Sequence, residues 1–415
     1  MSARLLRGRR QWLPAVLGVL ATLAGCAGRR TPGGPDPLVL ISFDGFRWDY
    51  ADRAATPALD RLAAAGVRAE RLIPVFPSKT FPAHYAIVTG LYTGHHGIIS
   101  NNMRDPESGA IFGTGSNPEV RNPRWWAGEP VWVTAGRQGL RTGVYFWPGS
   151  EAPVGGRQPD WWFPYDDTLP WDTRVDAALD WLTRPEGERA SFVALYFEEP
   201  NEAGHAHGPD APEISDAVAR VDAILARVID GLAARGLDAN VLVVSDHGMA
   251  ANDASRVIVL DDYVELVADE VFEQGAIGQI FPRPGREAAV FAALARAHPR
   301  LSVYRRGAMP ARLHLFDHPR LPPILLAPDA GWQVVTRDVF ERNGGRVIAG
   351  DHGQGPAHPD LHGIFYAAGP GLAPGVRLGA VEQVDLYALM CRLLEIEPAP
   401  NDGEWSRVSG VIRDR

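Results

Sequence analysis

The sequence has 415 residues, of which 46% are hydrophobic and 22% are charged, and its formal net charge is −9. These proportions are typical of a globular protein that is long enough to bury a large core. Because the chain is acidic and no long basic run follows Arg30, the sequence disfavours a role as a nucleic-acid scaffold held by electrostatics.

The first 25 residues are predicted to be a lipoprotein signal peptide. Several arginines precede an apolar run from Trp12 to Ala24, which is too short to span a bilayer comfortably. The run ends in Leu23-Ala24-Gly25-Cys26, which is similar to the lipobox of bacterial lipoproteins and makes Cys26 the expected lipidated residue. The only other cysteine is Cys391, so a disulfide framework is not expected. A soluble exported protein and an uncleaved anchor are the alternatives.

Residues 26–37 are rich in Gly and Pro and are predicted to be a tether between the lipid and the folded part. We therefore expect an exported lipoprotein attached to a membrane through its lipid anchor. Ala27 follows the cysteine, so the Asp-type signal for retention in the inner membrane is missing. The expected location is the outer membrane or its periplasmic face.

Apolar runs and helical repeats alternate through the rest of the chain. Leu38–Phe43 is a nearly continuous apolar run, as in a strand buried on both faces, and Thr56-Pro57 opens a helix that closes near Gly66. Further strands are predicted at 142–146, 191–197, 240–244 and 363–367, and further helices at 172–183, 214–234, 287–297 and 386–394. The alternation predicts a doubly wound α/β sandwich. The pattern loosens from 253 to 337, which predicts a small inserted subdomain between core parts 38–252 and 338–415.

The stretch Pro77–His84 contains the expected nucleophile, Thr80. Pro82 suits the first turn of a helix, which predicts that Thr80 lies at a loop-to-helix junction, where backbone N–H groups favour an anion. A threonine hydroxyl is a weak nucleophile unless a base or a metal ion activates it. A capping threonine without a catalytic role is the alternative.

Potential metal ligands follow several of the predicted strands. Asp44 follows the first strand, Asn201 and His205 follow 191–197, Asp246-His247 follows 240–244, and a later loop contains Asp351-His352. In open α/β sheets ligands bind beyond the carboxyl ends of the strands. Asp and His side chains suit Zn²⁺, and two such ions about 4 Å apart can clamp an in-line phosphoryl displacement.

These motifs resemble those of the nucleotide pyrophosphatase/phosphodiesterases of the alkaline phosphatase superfamily. The similarity covers nearly the whole chain after the predicted tether. It is carried by Ser42–Arg47, Phe76–Pro82, Gly90–Tyr92, His96–Ile98, Asn101–Pro106, Ser245–Met249 and Pro398–Gly403. The resemblance implies an alkaline-phosphatase-like fold and two zinc ions over a threonine nucleophile.

The resemblance also implies roles for individual residues. One zinc ion is expected on Asp44, Thr80, Asp246 and His247, and the other is expected on Asn201, His205 and His352. Asn101 and the backbone N–H groups at Thr80–Phe81 are expected to stabilise charge on the transferred phosphate. Phe81 and Tyr196 match an aromatic pair that brackets a nucleobase in nucleotide-cleaving members.

One position departs from the family pattern, because Asn201 stands where the family has Asp. An amide oxygen still ligates zinc, but the site loses one negative charge. Glu199 and Glu202 are candidates to compensate. We therefore expect an active enzyme with a weaker second metal site, and a chain that has lost activity is the alternative.

The predicted function is metal-dependent hydrolysis of phosphodiester or pyrophosphate bonds in small, nucleotide-type substrates, through a phospho-Thr80 intermediate. A sulfatase is disfavoured because Thr80-Phe81-Pro82 replaces the Cys/Ser-x-Pro-x-Arg motif. A phosphomonoesterase is disfavoured because no arginine flanks Thr80. A choline phosphodiesterase acting on lipid headgroups, and a lipoprotein that binds nucleotide or metal without turnover, remain alternatives. No obligate protein partner is expected.

Overall fold

The computed structural model describes residues 34–114 and 118–413. The predicted signal peptide and Cys26 lie outside these residues, so the lipid anchor stays a prediction. Among the described residues, none of the helices combines the length and the apolar character needed to cross a membrane.

The helices are numbered in chain order over the described residues. They are α1 (Tyr50–Arg53), α2 (Pro57–Ala65), α3 (Thr80–Thr89), α4 (Thr93–His96), α5 (Val131–Arg137), α6 (Trp171–Thr183), α7 (Asn201–His207), α8 (Pro212–Ala234), α9 (Glu287–Leu294), α10 (Arg337–Arg342) and α11 (Leu386–Leu393).

The strands are numbered in the same way. They are β1 (Leu38–Phe43), β2 (Val67–Ile73), β3 (Met103–Arg104), β4 (Ile111–Phe112), β5 (Thr142–Tyr145), β6 (Trp161–Phe163), β7 (Phe192–Phe197), β8 (Asn240–Val244), β9 (Ala250–Ala251), β10 (Val257–Val259), β11 (Val271–Glu273), β12 (Gly278–Ile280), β13 (Leu301–Arg305), β14 (Ile324–Pro328), β15 (Gln333–Val335), β16 (Gly350–Asp351), β17 (Phe365–Ala368) and β18 (Val376–Glu382).

The central sheet has eight strands in the order β18-β2-β17-β8-β1-β7-β5-β6. β1 lies between β7 and β8 and runs parallel to both. β17 is antiparallel to its neighbours β8 and β2, so the strand predicted at 363–367 runs against the others. Strands β2, β6 and β18 were not predicted from the sequence. In β2 only Val67, Ala69 and Leu72 are buried, which is less distinctive than a continuous apolar run.

Helices cover both faces of the sheet. Alternate residues of β1 point to opposite sides, with Leu38 and Leu40 in one apolar cluster and Val39 and Ile41 in the other. The first cluster contains residues of α3, α5 and α11, and the second contains residues of α2, α6 and α8. This arrangement confirms the predicted doubly wound α/β sandwich.

The start of α2 differs from the prediction in one respect. Thr56 precedes Pro57 as expected, but its side chain makes no capping hydrogen bond. Instead, the carboxylate of Asp222 accepts hydrogen bonds from the N–H groups of Ala58 and Leu59, at 3.0 and 2.9 Å. A side chain of α8 therefore satisfies the first turn of α2, which ties together two helices on the same face.

A second sheet lies within the region predicted to be an inserted subdomain. Its four strands have the order β11-β12-β14-β13 and are antiparallel. It has a small apolar core of its own, in which Ile280 and Leu326 pack with Val290 and Leu294 of α9. The boundaries 253 and 337 stay predictions.

Candidate active site

The candidate ligands meet at the carboxyl edge of the central sheet. Asp44 follows β1, and Asp246 and His247 follow the adjacent parallel strand β8. Asn201 begins α7, just beyond the end of β7 on the other side of β1. Because the carboxyl ends of neighbouring parallel strands lie together, residues far apart in the chain become neighbours.

Asp44, Asp246 and His247 form the first ligand group, in which one ligand atom of each residue lies within 4.8 Å of the others. His247 Nε2 lies 2.9 Å from Asp246 Oδ2 and 3.4 Å from Asp44 Oδ1. His247 Nδ1 lies 2.9 Å from the Gly248 carbonyl oxygen, which only accepts, so Nδ1 carries a proton and Nε2 is the ring atom that faces the carboxylates.

His205, Asp351 and His352 form the second ligand group. The Nδ1 atoms of the two histidines lie 2.9 Å from the carbonyl oxygens of Gly350 and Ser78, respectively, so each ring is anchored through Nδ1. Their Nε2 atoms face each other at 3.3 Å. The His352 ring also stacks on His247 at 3.4 Å between centroids, which places the two groups side by side.

The inward-facing atoms of the first group are suited to a metal ion. Asp44 Oδ1, Asp246 Oδ2 and His247 Nε2 are buried and, apart from their close approaches to one another and to His84, have no hydrogen-bond partner among the described residues. Such atoms are costly in a protein interior unless something binds them. Carboxylate oxygens and imidazole nitrogens in this combination are ligands that Zn²⁺ prefers, so the residues fit the predicted metal.

The two carboxyl groups of the first group differ in acidity without a metal ion. Burial, together with the negative charge of Asp246, raises the pKa of Asp44 to about 7. Burial also acts to raise the pKa of Asp246, but His247 and His84 outweigh it and hold that pKa well below its usual range. One carboxylate of the pair is therefore strongly favoured as the anion.

Thr80 lies beside the first group as the first residue of α3. Its backbone N–H therefore has no carbonyl partner within the helix, as the sequence predicted for a loop-to-helix junction. Thr80 lines a cavity of about 310 Å³ together with Asp44 and Asn201. Lys79 precedes it, and Lys79 Nζ is 3.8 Å from Asp351 Oδ1. Thr80 thus lies on the same cavity as two of the candidate ligands.

Asn101 lies on the same cavity, and its amide is oriented by α3. Asn101 Oδ1 accepts a hydrogen bond of 2.9 Å from the N–H of Phe81. This contact occupies the Phe81 N–H, and the expected role of that group towards the phosphate stays a prediction. The Thr80 N–H and the Asn101 side-chain N–H groups remain as donors at the cavity.

Comparison with known proteins identifies the family. The model of the type I phosphodiesterase/nucleotide pyrophosphatase family matches residues 38–355. The chain belongs to this family. Human ectonucleotide pyrophosphatase/phosphodiesterase family member 5 is 33% identical over 377 residues, which cover 90% of this chain and 78% of that protein.

Other relatives of this phosphodiesterase family are longer. Human family member 1 is 35% identical over 94% of this chain, and the match covers 42% of its own length. A venom phosphodiesterase of Naja atra is 34% identical over 94% of this chain and 48% of its own length. The chain therefore spans less than half of these two relatives.

Solved structures of family members have the same fold. The murine family member 5, as an inactive threonine-to-alanine variant in complex with AMP, superimposes with a TM-score of 0.86 at 32% identity. The match covers 91% of this chain and 100% of that one. The human family member 5 gives the same values. The fold of this phosphodiesterase-family chain is therefore alkaline-phosphatase-like, as predicted.

Asn201, which departs from the pattern of the phosphodiesterase family, still faces the site. Its Oδ1 atom is buried and has no partner among the described residues, and its N–H donates to the Asp44 carbonyl at 2.9 Å. The backbone of Asn201 packs closely against Gly45. A Cβ atom at position 45 would lie 2.8 Å from the Asn201 Cα, and φ there is +68°, so only glycine fits at position 45.

The acidic neighbours of Asn201 do not replace the missing charge. Glu199 accepts hydrogen bonds from the Ala203 N–H and from Arg220, at 3.1 and 2.6 Å, which occupies its carboxylate outside the site. Glu202 is exposed and belongs to neither ligand group. Asp351 was among the potential ligands noted in the sequence but was assigned to neither zinc ion; its carboxylate lies with His205 and His352 and accepts from Gln333 at 3.0 Å.

The aromatic side chains of the cavity differ in their contacts from the predicted pair. Phe81 and Tyr196 both line it, but the Tyr196 hydroxyl donates to Asp44 Oδ2 at 2.6 Å. Tyr165, which sequence reasoning missed, lines the same cavity and is 40% exposed. Its position in a loop of mixed aromatic and acidic residues carried no periodic signal.

His84 is a second residue whose contacts sequence reasoning missed. It is fully buried behind Thr80, with Nε2 2.8 Å from Ser42 Oγ and Nδ1 2.8 Å from the Thr80 carbonyl oxygen. Nδ1 also lies 3.3 Å from Asp246 Oδ2. Although burial lowers it, the Asp246 carboxylate raises the pKa of His84 above its ordinary value. His84 thus connects the expected nucleophile to a ligand carboxylate.

Proposed function

We propose that this chain is a zinc-dependent phosphodiesterase that hydrolyses phosphodiester or pyrophosphate bonds through a covalent phospho-Thr80 intermediate. The observation that carries the proposal is the convergence of two ligand groups, the first with buried atoms that await a ligand, on a cavity lined by a threonine at a helix start. Family membership supports it, since the matched relatives are named phosphodiesterases and nucleotide pyrophosphatases.

Two zinc ions are assigned to the site. Asp44, Asp246, His247 and Thr80 would hold one ion, and Asn201, His205 and His352 would hold the other. Bound zinc supplies Lewis acidity, which lowers the pKa of a threonine hydroxyl or of water and offsets negative charge on phosphate oxygens. With Asn201 in place of the family's Asp, the three side chains proposed for the second ion carry no negative charge, so we propose that the second ion is bound more weakly than the first.

The residues of the chain then divide the work of the reaction. The Thr80 oxygen attacks phosphorus, so that the bond from Oγ to phosphorus forms while the bond to the leaving oxygen breaks. Asn101 and the Thr80 N–H donate hydrogen bonds to the non-bridging oxygens, where charge accumulates. Water then attacks the same phosphorus from the side that the leaving group vacated, and this step releases Thr80.

The substrate is proposed to be a nucleotide-type small molecule. The cavity of about 310 Å³ is lined by Phe81, Tyr165 and Tyr196, whose rings suit a flat base. The murine family member 5 was solved with AMP, which supports the same class of ligand here. A choline phosphodiester and binding without turnover remain the alternatives, and we propose the exported, lipid-anchored location predicted from the first 26 residues.

The test is hydrolysis of bis-p-nitrophenyl phosphate and of p-nitrophenyl phosphate by the full chain in detergent, zinc-loaded and after chelation. We expect zinc-dependent cleavage of the diester that is lost in Thr80→Ala. Thr183→Ala, an exposed threonine at the end of α6, is the matched control and should keep full activity. Zinc binding without turnover of either ester would contradict the proposal and favour the binding role.

Assays with dinucleoside and choline diesters distinguish the two substrate classes. The chain should cleave an adenosine-containing diester with the higher kcat/KM, since its aromatic cavity has a flat surface for the base. A higher kcat/KM for glycerophosphocholine would instead select the lipid-headgroup alternative.

A further inference from the structure

The second sheet reaches the loop that contains Asn101. On its paired strands β11 and β12, Glu273 lies opposite Gln279. The Glu273 carboxylate accepts from the Ser100 hydroxyl, with its two oxygens at 3.1 and 2.9 Å, and from Gln279 Nε2 at 2.6 Å. Gln279 Nε2 also donates to the Asn102 carbonyl at 2.9 Å. Residues on both sides of Asn101 are therefore bound to the second sheet.

Asn101 itself is fixed on the opposite side by α3. Its Oδ1 accepts from the Phe81 N–H at 2.9 Å, which sets the orientation of the amide. The Ser100 hydroxyl and the Asn102 carbonyl hold the chain on either side of Asn101, and the Phe81 N–H holds its side chain. Since the stabilisation of developing charge depends on donors placed in advance, the contacts that orient Asn101 are part of that placement.

A carboxylate suits this place better than a neutral side chain. Ser100 and Gln279 are both buried, and both donate to Glu273. A carboxylate only accepts, whereas a glutamine would turn an N–H group towards one of these donors. Burial raises the pKa of Glu273, and Lys79, Gln279 and Ser100 act against that shift. Lys79, which precedes Thr80, is therefore close enough to act on Glu273 through its charge.

We propose that Glu273 is a positioning residue for the phosphodiesterase reaction. Through Ser100 and Gln279 it holds Asn101 so that the Asn101 amide meets the transferred phosphate. The inference rests on the proposed function and gives the second sheet a part in the reaction rather than only in the surface of the molecule.

The experiment uses Glu273→Gln in the zinc-loaded full chain, with bis-p-nitrophenyl phosphate as the substrate. Removal of one donor to a developing oxyanion costs about 100- to 1,000-fold in kcat, so a displaced donor should cost about 10- to 100-fold. KM should change by less than about threefold, since ground-state contacts remain. Ser100→Ala removes the same link with a smaller change and should show the same pattern.

Two further readouts separate positioning from a loss of folded protein. The two stereoisomers of a phosphorothioate diester place sulfur on different non-bridging positions, so a shift of Asn101 should change the ratio of their kcat/KM values. In an Asn101→Ala background, Glu273→Gln should have almost no further effect on kcat, because both changes act through the same amide.

Glu270→Gln is the matched control. Glu270 is fully buried next to the same sheet and pairs with Arg286 at 2.8 Å, away from Asn101. This variant should lower the thermal midpoint while kcat per folded molecule and the stereoisomer ratio stay at the wild-type values.

The outcomes that overturn the inference are distinct from failure of the proposed function. In an active wild-type chain, unchanged kcat in both Glu273→Gln and Ser100→Ala overturns this inference alone. The inference is also overturned if the loss of kcat in Glu273→Gln multiplies with the loss in Asn101→Ala. It is overturned likewise if Glu273→Gln lowers kcat/KM equally for the two stereoisomers. A wild-type chain that binds zinc and cleaves no diester overturns the proposed function together with this inference.

Discussion

The hydroxyl of Tyr196 donates a hydrogen bond of 2.6 Å to Oδ2 of Asp44. Tyr196 lies on β7 opposite Ser42 of β1, two residues before Asp44, so the sheet register brings the two side chains together. The bond engages Oδ2 and leaves Oδ1 turned towards His247 Nε2 at 3.4 Å. Hydrogen bonds of this kind orient ligating carboxylates. Tyr196 therefore contacts the ligand group as well as the cavity.

Tyr196→Phe is expected to weaken zinc binding at the first group by about 10- to 100-fold, because Asp44 loses the partner that orients it. The measurement is a zinc titration against a chromophoric chelator. Tyr366→Phe, a buried tyrosine of β17 whose ring packs against Arg68, is the control. Equal zinc affinity in Tyr196→Phe and the wild type would show that the bond does not orient the ligand.

Asn201→Asp is expected to tighten binding of the second zinc ion, the one proposed for Asn201, His205 and His352, by about tenfold or more, since it adds a negative charge within reach of that ion. Calorimetric titration should then show a second strong binding event, and the thermal midpoint in zinc should rise further than in the wild type. Asn343→Asp adds the same charge at the exposed end of α10 and should leave both binding events unchanged. Two equally strong sites in the wild-type chain would contradict the prediction.

Ser42→Ala is expected to lower the free energy of unfolding by about 1–3 kcal/mol, because it leaves the buried Nε2 of His84 without its 2.8 Å partner. Urea unfolding of the metal-free protein measures the change. Ser302→Ala, on an exposed position of β13, is the control and should change stability by less than about 0.5 kcal/mol. If the free energy of unfolding falls no further in Ser42→Ala than in Ser302→Ala, His84 has found another partner and the prediction is wrong.

His96 is expected to make the protein less stable in acid. Burial lowers its pKa from the ordinary 6.5 to about 3, so the unfolded chain binds a proton that the folded chain does not. Above pH 6.5 His96 is neutral in both states and stability is at its full value. As the pH falls from 6.5 towards 3, the free energy of unfolding decreases by roughly 1 kcal/mol per pH unit. Urea unfolding of the metal-free protein at pH 7, 6 and 5 should show this slope.

His96→Asn should reduce that slope. The Asn oxygen is positioned to replace His96 Nδ1, which accepts from the Ile98 N–H at 3.1 Å, while the titratable group is removed. A slope unchanged in His96→Asn would assign the acid sensitivity to other residues, among them His318, whose pKa burial lowers to about 4.

The residues that the sequence predicted well are those whose signal is local. Asp44 and the pair Asp246-His247 follow apolar runs that become β1 and β8, and a strand buried on both faces is recognisable without its neighbours. Thr80 was recognised in the same way, from a short motif with proline in the first turn of α3. The edge strand β18 and the short strand β6 were missed because an exposed or brief strand lacks that signal.

By itself, the sequence determined the sandwich and the edge of the sheet at which most of the candidate ligands lie. The tertiary structure alone decided which side chains contact them. Asp351 joins the second ligand group, Tyr196 binds Asp44, and Glu273 holds Ser100 from 173 residues away. The physical reason is that strand ends are specified by nearby residues, whereas a hydrogen bond between distant loops depends on how whole sheets pack, which no local pattern records.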